Sequence, residues 1–73
     1  MKVKILGSTN SKIEEYIGEI RNYFRMGNVA CLEDLNKPGY GIKTSRIVSE
    51  QQDDNIIKIK TMNSIYELEI VED

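Results

Sequence analysis

The sequence predicts an α+β domain in which one amphipathic helix lies on the apolar face of a small antiparallel sheet, in the order β-α-β-β-β-β. Three observations carry that expectation. Six apolar residues between Ile13 and Phe24 recur at the spacings of one helix face. The last third of the chain alternates apolar and charged residues, the pattern of a half-buried β-meander. The chain has 73 residues, 40% hydrophobic and 30% charged, which fits a single folded domain over residues 1–73.

The elements follow in order. Lys2-Val3-Lys4-Ile5 alternates with a period of two and reads as a short strand. Gly7-Ser8-Thr9-Asn10 breaks it, and Ser11-Lys12-Ile13-Glu14 has the form of a capping box, so the helix is expected from Ser11 to Met26. Ile13, Tyr16, Ile17, Ile20, Tyr23 and Phe24 fall within an arc of about 120° on that helix. Ile20 is its expected core anchor, Gly18 lies on the opposite face, and Gly27 is the stop. Asn28 to Leu35 contains Val-Ala-Cys-Leu and reads as a short strand. Asn36-Lys37-Pro38-Gly39-Tyr40-Gly41 is a loop, because proline removes a donor and two glycines follow. Ile42 to Glu50 reads as another strand, joined by Gln51–Asp54 to a C-terminal hairpin of Ile56–Met62 and Ile65–Val71.

A register for that hairpin follows from a two-residue turn at Asn63-Ser64. It pairs Thr61 with Tyr66, Ile59 with Leu68 and Ile57 with Ile70 on the core face. The solvent face then pairs Lys60 with Glu67 and Lys58 with Glu69, flanked by Ile56–Val71 and Met62–Ile65. A slip by one residue would bury charge. Apolar pairs on an otherwise charged face can mark a contact surface, or strand ends that tuck under loops or close a partial barrel; on the first reading Ile56, Met62, Ile65 and Val71, with Lys58, Lys60, Glu67 and Glu69, are the candidate interface.

Several chemistries are excluded or disfavoured. Without histidine there is no Ser-His or Cys-His pair, and one cysteine supplies neither a disulfide nor the several thiols a zinc site would need. Cys31, inside an apolar run, reads as a small core residue. Asp53-Asp54-Asn55 lacks the spacing and glycine of a calcium loop. No metal, no cofactor and no enzymatic activity are expected. The net charge of −2 argues against nucleic-acid binding through phosphates. No apolar run approaches the roughly 18 residues of a membrane span, and Met1–Leu6 is too short for a signal peptide, so a cytoplasmic location is expected. The charge is bipolar: residues 1–27 hold five Lys/Arg against three Glu, and residues 28–73 hold five against nine Asp/Glu.

One segment remains as a ligand site. Gly7, Ser8, Thr9 and Ser11 lie between a strand and the expected helix N-terminus, where free N–H groups favour an anion. The segment meets neither the Walker pattern nor the dinucleotide fingerprint.

The C-terminal half carries a resemblance. Gly39-Tyr40-Gly41, Thr44-Ser45-Arg46-Ile47-Val48-Ser49 and Thr61-Met62-Asn63-Ser64-Ile65-Tyr66-Glu67-Leu68-Glu69 resemble small uncharacterised proteins of phages and mobile elements in low-GC Gram-positive bacteria. The similarity covers about residues 39–70, and its motifs are turn and core residues. It implies a β-meander and a phage or mobile-element origin. The expected function is that of a non-enzymatic, phage-encoded interaction protein that binds and modulates a bacterial host protein, as an anti-defence inhibitor would. A homodimer is expected as well, since so small a domain gains stability by association. The alternative is a small-ligand or nucleotide-binding protein using the Gly7–Ser11 loop.

Overall fold

The computed structural model describes residues 1–72, and these form one antiparallel sheet of seven strands. In chain order the strands are β1 (Lys2–Ser8), β2 (Ile20–Met26), β3 (Val29–Glu33), β4 (Gly41–Lys43), β5 (Ile47–Asp53), β6 (Ile56–Thr61) and β7 (Ile65–Glu72). Their order across the sheet is β4-β3-β2-β1-β7-β6-β5. The only helix among the described residues is a 3-10 helix at Ser11–Tyr16. The α+β expectation is therefore overturned: the protein is almost entirely β.

The helix expected from Ser11 to Met26 divides at Gly18, whose φ of 93° is incompatible with a right-handed helix. There the Gly18 N–H donates to the Ile5 carbonyl at 2.7 Å and the Glu19 N–H to the Tyr16 carbonyl at 3.0 Å, and the chain leaves as β2. Its β-branched and aromatic residues favour a strand once that turn is made. Gly27, expected as a helix stop, instead uses its φ of 59° in the tight turn between β2 and β3. Asn10, not Ser11, caps the 3-10 helix, its side chain accepting from the Lys12 N–H. The strand expected over Ile42–Glu50 is interrupted at residues 44–46, giving β4 and β5.

The C-terminal hairpin keeps the predicted faces but not the predicted partners. Ile57 pairs with Leu68, Lys58 with Glu67, Ile59 with Tyr66 and Lys60 with Ile65. The register is shifted by two residues because the turn spans Thr61–Ser64, with the Thr61 N–H donating to the Ser64 carbonyl. A shift of two leaves every side chain on its original face. Ile57, Ile59, Thr61, Tyr66 and Leu68 are buried accordingly.

The sheet curls on itself. The Ile47 N–H donates to the Asn28 carbonyl at 2.7 Å, and the Tyr23 hydroxyl donates to Glu50 Oε1 at 2.6 Å. These bonds bring edge strand β5 back against the β2–β3 hairpin and make a partly closed barrel. Val3, Ile5, Tyr23, Ala30, Leu32, Ile57, Ile59, Tyr66 and Leu68 fill its interior, and Ile13 of the 3-10 helix packs with them.

Candidate functional site

The strongest apolar feature outside the core lies on the outer face of β2, β3 and β4. Phe24 stands opposite Cys31 and Met26 opposite Val29, while Cys31 stands opposite Lys43. Alternation along β2 places Arg21 and Tyr23 inside and Phe24 and Met26 outside. Phe24, Met26, Cys31, Tyr40 and Lys43 line an open cleft of about 180 Å³ beside edge strand β4. Tyr40 is 71% exposed and Met26 53%. Cys31 is buried, but beneath this cleft rather than within the main core.

Gly41 shapes the cleft. A methyl group there would stand 2.5 Å from the Leu32 carbonyl oxygen and 2.8 Å from Glu33 Cα. The absence of a side chain lets β4 approach β3 and leaves the cleft open towards the sheet edge. Upstream, Pro38 and Gly39 (φ 89°) form the turn closed by the Tyr40 N–H donating to the Lys37 carbonyl. The Gly39 N–H also donates to Glu33 Oε2 at 3.1 Å, which fixes the loop over the cleft.

The backbone of β4 is only half used. The Asp34 N–H donates to the Tyr40 carbonyl, and the Thr44 N–H donates to the Ala30 carbonyl. Alternation of the ladder makes Ile42–Leu32 the hydrogen-bonded pair between them. Gly41 and Lys43 therefore turn their N–H and C=O groups away from β3, along the open edge.

A second cleft opens at the mouth of the barrel, lined by Tyr16, Arg21, Asp34, Lys37 and Tyr40. Arg21 is buried, yet its charge is answered within the chain. Its Nε and Nη2 donate to Glu19 Oε1 at 3.3 and 3.1 Å, its Nη1 donates to the Leu32 carbonyl, and its guanidinium lies 4.8 Å from the Tyr16 ring centre. That arrangement is one of a structural cation.

The predicted interface residues stay on the outer face of β6 and β7 or in their turn, but their pairing changes. Ile56 stands opposite Glu69 rather than Val71, and Ile65 opposite Lys60 rather than Met62. Met62 lies in the turn, 66% exposed, and Val71 is at the far end of β7. Lys58 faces Glu67, and Glu69 faces Lys4 of β1. This face is charged with separated apolar residues, which is ordinary for a solvated surface.

In the Gly7–Ser11 segment, the hydroxyls of Ser8 and Thr9 are engaged. Ser8 accepts from the Asn10 N–H and Thr9 from the Ile65 N–H, each at 2.9 Å. Asn10 Nδ2 donates to the Tyr66 hydroxyl at 3.2 Å. These bonds tie the loop to β7, and Ser11 begins a 3-10 helix of six residues rather than a long α-helix. Among the described residues no three His, Cys, Asp or Glu side chains gather to hold a metal, and no helix is long and apolar enough to cross a membrane.

The fold and its cleft thus define a small curled β-sheet with an apolar recess beside an open edge. No family model matches the chain, and no match is found among curated proteins or solved structures.

Proposed function

We propose that this is a non-enzymatic interaction protein whose β2–β3–β4 face receives an extended strand of a protein partner. The cleft of Phe24, Met26, Cys31 and Tyr40 beside the unpaired backbone of Gly41 and Lys43 is the observation that supports this reading. An added strand draws main-chain hydrogen bonds from such an edge and specificity from a neighbouring side-chain recess. The partner's chemistry follows from charge. Lys37, Lys43 and Arg46 around β4 are exposed and form no ion pair among the described residues, so an acidic strand with an exposed apolar side chain suits it. That the partner is a bacterial host protein, and the chain phage-encoded, rests only on the resemblance of residues 39–70.

Affinity capture from bacterial extract, run in parallel with the native chain and Phe24→Asp, tests the surface. Proteins held by the native chain are expected to be lost with Phe24→Asp while the variant still unfolds cooperatively. Capture of the same proteins by both overturns the reading. Loss with Ile65→Glu instead would return the interface to the β6–β7 face.

A further inference from the structure

Past Lys43 the open edge ends. The peptide unit joining Arg46 to Ile47 points both ways: its N–H donates to the Asn28 carbonyl at 2.7 Å, and its carbonyl accepts from the Met62 N–H at 2.9 Å. From Arg46 onward the side facing away from β3 is therefore taken by the β6–β7 turn. Ser45 is tied to the same turn, its hydroxyl donating to Thr61 Oγ1 and accepting from the Asn63 N–H. That leaves Gly41–Lys43 as the stretch of this edge free to pair. A strand lying antiparallel to it closes two double hydrogen-bonded pairs, one at Gly41 and one at Lys43. Parallel bonds are slanted and hold less well per residue.

The side chains alternate with the backbone. On the outer face Gly41 stands opposite Glu33 and Lys43 opposite Cys31, so two rows run from β3 through β4 onto any strand added there. The row through Lys43 ends on an exposed cation, and an Asp or Glu opposite it supplies the missing counter-charge. The row through Gly41 ends on bare backbone beside the recess of Phe24, Cys31 and Tyr40. An aromatic ring opposite Gly41 lies across the glycine and covers that recess, as aromatic residues do beside edge glycines. An acid at this second position would face Glu33 across two strand spacings, about 10 Å, with no side chain between them.

We infer that the strand received at the β4 edge runs antiparallel and carries an acidic residue followed, two positions later, by an aromatic one. The direction fixes that order, because the residue opposite Lys43 precedes the residue opposite Gly41. The inference rests on the docking reading above and names the chemistry of its partner.

Capped threonine–serine peptides that differ at two positions test this against the full chain. One carries Glu and then Phe two positions later, one has the two exchanged, and one has Lys in place of Glu. Binding is read from backbone amide shifts during titration. The Glu-then-Phe peptide is expected to shift the Gly41 and Lys43 amides saturably, and the other two to bind about tenfold more weakly. Lys43 is exposed, so Lys43→Glu should fold and prefer the Lys-then-Phe peptide by a similar factor. If that variant loses cooperative unfolding, Lys43→Gln replaces it and should erase the preference for Glu over Lys. Equal affinity for the first two peptides overturns the inference, and so does a preference for the exchanged one, the signature of a parallel strand. In either case shifts at Gly41 and Lys43 leave the docking edge standing. The absence of any saturable shift at those amides also overturns the inference. The docking reading falls with it only if capture from extract is indifferent to Phe24→Asp.

Discussion

At Gly41 the requirement for glycine is steric rather than conformational. Its φ is ordinary, yet a Cβ would press on the backbone of Leu32 and Glu33, atoms that move only if the strand moves. Gly41→Ala should therefore destabilise by about 1–3 kcal/mol, the range for forcing a methyl group into a packed site. Gly7 is the control: its Cβ position meets nothing within 4 Å, and its φ is not in the left-handed region. Gly7→Ala should be neutral or gain up to about 1 kcal/mol by restricting the unfolded chain. Urea midpoints measured side by side check both, and equal midpoints would mean that β4 is free to shift. Gly18 differs from both. Its φ of 93° makes Ala strained despite open space. Ile20, expected as the core anchor, is 45% exposed at the head of β2, while Arg21 beside it points inward.

Among the elements, the β6–β7 hairpin separates two registers by a simple charge test. With Lys58 opposite Glu67, Lys58→Glu sets like charges across the strands and should destabilise by about 0.2–1 kcal/mol. Lys60 faces Ile65, so Lys60→Glu should leave the denaturant midpoint nearly unchanged. Equal losses from the two substitutions would restore the turn at Asn63-Ser64, which sets Lys58 against Glu69 and Lys60 against Glu67. The faces of this hairpin were legible because a period of two is strongly written in Ile57, Ile59, Leu68 and Ile70. The partners were not, since a shift of two residues conserves every face and only the turn at Thr61–Ser64 decides it. The first half was misread for a related reason. Ile13 to Phe24 satisfies a helical period, and β2 inverts the usual rule by burying Arg21 while exposing Ile20, Phe24 and Met26. No hydropathy pattern signals that exchange; the signal available was Gly18 in the middle of a β-branched and aromatic run. The outer cleft was missed with it, since Phe24 had been assigned to a helix core and Cys31 to the main one.

For the whole molecule, closure of the barrel depends on a polar seam rather than a backbone ladder. Tyr23 reaches from β2 to Glu50 on β5, and Arg25 Nη1 stands 3.9 Å from the same carboxylate oxygen. Burial of the Tyr23 phenol, together with its hydrogen bond to Glu50 and that carboxylate's charge, raises its pKa above the ordinary value of 10.0. The sign of the consequence is fixed. Above about pH 10 the unfolded chain has lost the Tyr23 proton while the folded chain keeps it, so folding binds the additional proton and stability falls as pH rises. The contribution is fully present below the unfolded value and fades as the pH climbs through the raised one. Native protein should thus lose denaturant midpoint between neutral pH and about pH 11, and Tyr23→Phe should lose less over the same interval. At neutral pH the variant should itself be weaker by about 0.5–1.5 kcal/mol, the net worth of one hydrogen bond. Parallel pH dependences for the two proteins would show that Tyr23 does not hold its proton against Glu50. The seam would then rest on the Ile47–Asn28 backbone bond and the Arg25–Glu50 pair.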